Sequence, residues 1–134
     1  MVVGSSYTFG TRLAGPIEPA RERVTSALQA EGFGILTEID VAATMKAKLG
    51  LEREPYLILG ACNPPLAHRA IEADPSIGAL LPCNVVLRAD GDGTIVEIMD
   101  PAAVLGIARA PGLEGLAGEV QARLHRVLAA LEAG

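Results

Sequence analysis

An α+β fold, a two-layer sandwich of helices packed on a mainly antiparallel sheet with a terminal β-hairpin, is predicted by three features of the chain. Segments with the period of strands alternate with segments of helical period. The tract Asp90-Gly91-Asp92-Gly93 joins two consecutive strand-like runs, a composition that tolerates the positive backbone angles of a hairpin turn. After that hairpin the chain carries only helical patterns. A hairpin followed by helices points to a partly antiparallel sheet rather than a doubly wound parallel one.

The elements follow in order. From Ser6 to Leu13, Tyr7, Phe9, Thr11 and Leu13 alternate with Ser6, Thr8, Gly10 and Arg12, the pattern of a half-buried strand. Ile17, Ala20, Val24, Ala27 and Leu28 recur at helical spacing up to Glu31, and Gly32-Phe33 supplies a left-handed stop with its apolar contact. Gly34 to Glu38 reads as a short strand. Asp40 is placed to cap a helix over Val41 to Leu49, with Lys46 and Lys48 near its negative end and Gly50 as its stop. Tyr56 to Ala61, YLILGA, is apolar on both sides and predicts a central strand covered on both faces. Asn63 and Pro64 then predict a cap and a first helical position for a helix to about Ala73. Asp74-Pro75 begins a short turn, and Cys83 to Ala89 and Thr94 to Met99 form the hairpin. Pro101 to Ala108 reads as a short helix broken by Pro111-Gly112. Leu113, Leu116, Val120, Leu124, Val127 and Leu131 then make five steps that average 3.6 residues, the stripe of an amphipathic helix over about 113–132.

Composition bounds the function classes. The 134 residues are half apolar and suit one domain spanning 1–134; no apolar run is long enough to cross a bilayer, so no membrane partner is expected. Sixteen acidic residues against eleven basic ones give a net charge of -5, and with no Trp and scattered arginines no nucleic-acid partner is expected. MVVGSSYTFGTRL lacks a basic segment followed by an apolar stretch, which predicts a cytoplasmic location rather than secretion. Two cysteines are too few for a disulfide scaffold and are expected as thiols.

One constellation stands out. Gly60-Ala61-Cys62-Asn63-Pro64-Pro65 ends one strand and Leu81-Pro82-Cys83-Asn84 begins another. If these ends are neighbours, Cys62, Asn63, Cys83 and Asn84 make a ligand-binding site of two thiols and two amides beside a helix start, whose free N–H groups suit an anion. The alternative is that both cysteines are buried apolar residues, Asn63 is only a cap and Asn84 satisfies a turn. No metal site is expected, because His68 is the only nearby histidine and falls on the water-facing side of its helix with Arg69 and Glu72. His125 has no nucleophile at a readable spacing, so no catalytic triad can be assembled and no catalytic residue is assigned. Arg88 to Ile95 mimics part of an EF-hand loop, but Arg88 and Met99 stand where carboxylates are required. No Gly-x-Gly-x-x-Gly or P-loop pattern occurs, and the sequence specifies no cofactor.

The segment Tyr56 to Pro101, with Asn63-Pro64, Leu81-Pro82-Cys83 and Asp100-Pro101 its most specific parts, resembles the domain of unknown function 302 family. The upstream stretch GFGILTEIDVAATMKAKLG resembles it too, so the likeness covers about Tyr7 to Ala108 and leaves the last helix as an addition. The resemblance implies a small α+β domain that pairs as a homodimer, with no established activity. The sequence supports pairing independently. Tyr56, Ile58 and Gly60 lie on one side of their strand and Leu57, Leu59 and Ala61 on the other, so helices on one face leave a second apolar set for a partner or the terminal helix to cover. The functional expectation is a binding domain for a small anionic or thiol-reactive ligand at the two Cys-Asn pairs. The alternatives are a structural homodimer module and a thiol-based redox or metal-responsive protein.

Overall fold

The computed structural model describes residues 2–134. Five strands, β1 (Thr8–Ala14), β2 (Gly34–Asp40), β3 (Tyr56–Cys62), β4 (Cys83–Asp90) and β5 (Gly93–Met99), form one sheet in the order β1-β5-β4-β3-β2. All four pairings are antiparallel. The helices are α1 (Ile17–Ala30), α2 (Val41–Leu49), α3 (Pro64–Ala73), α4 (Pro101–Leu105) and α5 (Leu113–Ala133), with a 3-10 turn at Pro75–Leu80.

Local signals act where the sequence places them. Helix α1 ends with Phe33 N–H donating to Leu28 C=O and Gly32 N–H to Gln29 C=O, while Gly32 takes a φ of 87°, a left-handed angle that a Cβ would strain. Asp40 accepts from Ala43 N–H at the start of α2, and Asp100 accepts from Ala102 N–H at the start of α4. Helix α4 stops at Leu105 instead of reaching Ala108, because Gly106 weakens the pattern and ends the helix.

Sheet and helices meet across one core. Leu57, Leu59 and Ala61 of β3, Val85 and Leu87 of β4, and Val96 and Ile98 of β5 point into it, facing Val24 and Leu28 of α1 and Leu66 and Ala70 of α3. Helix α5 contributes its entire predicted stripe, every member of which is buried. It packs with α1 and α3 on this same face, so it is not a lid for the other side of the sheet. Strand β3 also departs from expectation. It lies between β4 and β2, leaving β4 central, and only its Leu57 side is covered by the helical layer.

The opposite face is mixed. Near β1 it is polar: Thr8 Oγ1 donates to Glu97 at 2.7 Å, Arg88 pairs with Glu97 at 2.9 Å, and Arg12 bridges Asp90 and Asp92 across the hairpin. The loop that mimics an EF-hand is thereby a hairpin held by an arginine. Toward β2 the same face is apolar, with Ile58, Tyr56 and Val86 half-buried and Ile39 exposed. Helix α2 touches β3 and buries none of its own residues. No helix among the described residues is long and apolar enough to cross a membrane.

Candidate functional site

The ends of β3 and β4 are neighbours, with Ala61 opposite Cys83 in the ladder. Strand pairing therefore brings Cys62, the last residue of β3, and Cys83, the first of β4, together at one end of two internal strands. Asn63 follows directly as the cap of α3, its Oδ1 accepting from Leu66 N–H at 3.3 Å. These three residues line one cavity of about 280 Å3.

The cavity exists because small side chains occupy positions where large ones would fill the space between layers. Ala61 lies on the sheet, Ala67 and Ala70 on α3, and Gly78 on the 3-10 turn. Larger apolar groups close the sides: Leu66 from α3, Leu105 from α4, and Leu116 and Val120 from α5. Its rim reaches the surface at Leu36 and Ile71, which are 65% and 43% exposed. Leu36 stands out because the pairing of β2 with β3 shifts between Ile35 and Thr37, leaving Leu36 unmatched in the ladder. Among the described residues no Lys, Arg, His, Asp or Glu lines the space.

Two expectations about this region fail on geometry. Asn84 follows Cys83 in a strand, so its side chain takes the opposite face, where it is exposed and outside the cavity. The helix start also lacks the free N–H groups that an anion needs. Pro64 and Pro65 have none, Leu66 N–H is taken by Asn63 Oδ1, and Ala67 N–H donates to the Asn63 carbonyl at 2.8 Å.

The electrostatics agree with the lining. Burial, with a smaller contribution from the neighbouring Cys62, pushes the Cys83 thiol up from its ordinary 9.0 to about 11. Burial raises Cys62 as well. Both groups therefore stay as thiols at neutral pH, the inert form rather than the nucleophilic or metal-ligating one. His68 is exposed on α3, as its helical position requires, and His125 stacks on Phe9 with ring centroids 4.1 Å apart. Among the described residues no group of three His, Cys, Asp or Glu side chains comes together as a metal site.

Several cavity residues went unmarked in the sequence. Leu116 and Val120 were legible as core positions of an amphipathic helix, and nothing in a helical stripe distinguishes a residue that fills a core from one that borders a void. Leu36 depends on a bulge that carries no glycine signal at that position.

Comparisons with known proteins bear on the whole arrangement. No curated protein matches. A crystal structure of an uncharacterised conserved DUF302 protein from Bacillus stearothermophilus superposes with a TM-score of 0.86 at 26% identity, covering 95% of this chain and 99% of that one. The family model for domain of unknown function DUF302 matches residues 9–131. That span passes beyond Ala108 and takes in α5, which the resemblance read from the sequence had left outside. With the helix that walls the cavity included in a family match over residues 9–131, and a superposition that covers nearly the full length, this chain belongs to the DUF302 family.

Proposed function

We propose that this domain binds a small, uncharged, largely apolar molecule in the cavity at the joined ends of β3 and β4, with Cys62, Asn63 and Cys83 among the contacting residues. The observation that carries the reading is the lining: a space of about 280 Å3 with apolar walls, open to the surface at two exposed apolar side chains. An engineered apolar cavity of about 150 Å3 already takes a benzene-sized guest, so the size is adequate. The absence of a lining cation and of free helix N–H groups favours an uncharged ligand over an anionic one. The raised thiols favour a packing role for the cysteines over covalent or redox chemistry. A cytoplasmic setting suits two thiols kept unpaired.

Titration of isotope-labelled protein with ethylbenzene, followed by backbone amide shifts, tests the reading. Saturable shifts at Leu66, Ala70 and Leu116 are expected, and Ala67→Phe should abolish them by filling the space. Shifts scattered over the surface, or none at saturation, would overturn it.

A second reading has its own observation. The apolar half of the uncovered sheet face, with Ile39, Tyr56, Ile58 and Val86, supports pairing of two copies through that face. The two readings are compatible, since the cavity lies on the helical side of the sheet.

A further inference from the structure

The cavity runs from buried walls to an exposed mouth. Leu105 and Leu116, from α4 and α5, are each 3% exposed, whereas Leu36 and Ile71 at the rim are 65% and 43% exposed. The rim is therefore as apolar as the interior, and it stands in water. The interior offers nothing to a polar group. Asn63 Oδ1 is taken by Leu66 N–H, and the amide nitrogen lies against Gly32, which is outside the lining. Among the described residues no buried side-chain nitrogen or oxygen is left without a partner. The two thiols in the wall are weak donors and weak acceptors.

We infer that the occupant is a straight-chain amphiphile, whose alkyl tail lies in the cavity with its end toward Leu105 and Leu116 and whose uncharged polar head, an alcohol, ester or amide, stays in water between Leu36 and Ile71. The inference rests on the cavity being a binding site and names the class of molecule it takes. A head placed inside would lose its hydration with no partner in return, so the polar end belongs at the mouth. The space of about 280 Å3 is nearly twice the ~150 Å3 that takes a benzene-sized guest. A chain that fills it and continues outward covers the two exposed side chains of the rim, whereas a compact ring held at the inner end leaves both in water. The head is uncharged because among the described residues no charged side chain lines the space or its rim.

The straight-chain primary alcohols hexanol, octanol and decanol, titrated into isotope-labelled protein, test the assignment. Affinity should rise about four-fold per added methylene through the series. In the octanol complex, intermolecular nuclear Overhauser contacts should join the chain-end methyl to Leu105 and Leu116, and the methylene beside the hydroxyl to Leu36 and Ile71. Leu36→Ala truncates an exposed side chain and leaves the core intact; it should weaken decanol about five-fold and leave hexanol unchanged. Reversed contacts, an affinity that does not grow from hexanol to decanol, or equal losses for both in Leu36→Ala would overturn the assignment. Ethylbenzene binding without binding of any of the alcohols would overturn it while leaving the cavity reading intact. Failure of the alcohols and ethylbenzene alike would overturn the cavity reading and the assignment with it.

Discussion

At the scale of single residues the two cysteines show how placement decides chemistry. Cys83 is 5% exposed among apolar neighbours, and the cost of placing a thiolate there raises its pKa from 9.0 to about 11. The consequence for stability has a definite sign. The unfolded chain releases this proton near pH 9 while the folded chain holds it to about 11, so the thiol's contribution is fully present below pH 9 and is lost as pH rises through that window. A two-unit shift corresponds to stability on the order of 2–3 kcal/mol. Urea midpoints should therefore fall more between pH 8 and pH 11 for wild type than for Cys83→Ala. Parallel losses would show that Cys83 meets no such barrier. Asn63 and Asn84 make the complementary point. Both follow a cysteine at a strand end, yet one turns into the cavity as a helix cap and the other takes the solvent side of a continuing strand.

Among the elements, α5 does the most to define the molecule. Its stripe from Leu113 to Leu131 is buried along the full length, touching α1, α3, α4 and β1. Arg123 and Arg126 tie it to the end of α1, donating to the Glu31 carbonyl and carboxylate at 3.0 and 2.8 Å. Leu124 is fully buried at its midpoint. Leu124→Ala leaves a cavity there and should cost about 2–5 kcal/mol by chemical denaturation. A variant as stable as wild type would mean that the helix does not rest on the sheet. Helix α3 is fixed differently, by two prolines that preset its first turn and an asparagine that caps it, so its start satisfies itself and offers an anion no N–H groups. That self-sufficiency is what makes the adjacent space apolar.

At the scale of the whole molecule, all of α1, α3 and α5 pack on one side of a five-stranded sheet. The far side is left with polar bridges near β1 and an apolar area over β2, β3 and β4. Pairing through that area should give a sedimentation-equilibrium mass twice the 13.8 kDa of the chain, reduced to the single-chain mass by Ile58→Glu. A wild-type mass of 13.8 kDa at micromolar concentration would end the proposal. The polar bridges limit the area available. Glu97 already satisfies Thr8 and Arg88 within one chain, which favours contact at the β3 side over contact across the entire face.

Most of the fold was legible because its signals are local. The left-handed stop at Gly32-Phe33, the caps at Asp40 and Asn63, the hairpin at Asp90 to Gly93 and the stripe of α5 each depend on residues a few positions apart, whose backbone preferences and periodicity act before any tertiary contact forms. The neighbouring of Cys62 and Cys83 was half legible, as two strand ends that an antiparallel ladder would join. What only the tertiary structure decided was the character of the space between them. Whether small residues such as Ala61, Ala67 and Gly78 leave a void depends on which distant side chains face them, here Leu105, Leu116 and Val120 from the last two helices. The exclusion of Asn84, the outward turn of Leu36 and the side of the sheet that α5 covers follow from register and layer packing. These are long-range choices, set by how all the apolar faces are buried at once, and no local pattern in the chain encodes them.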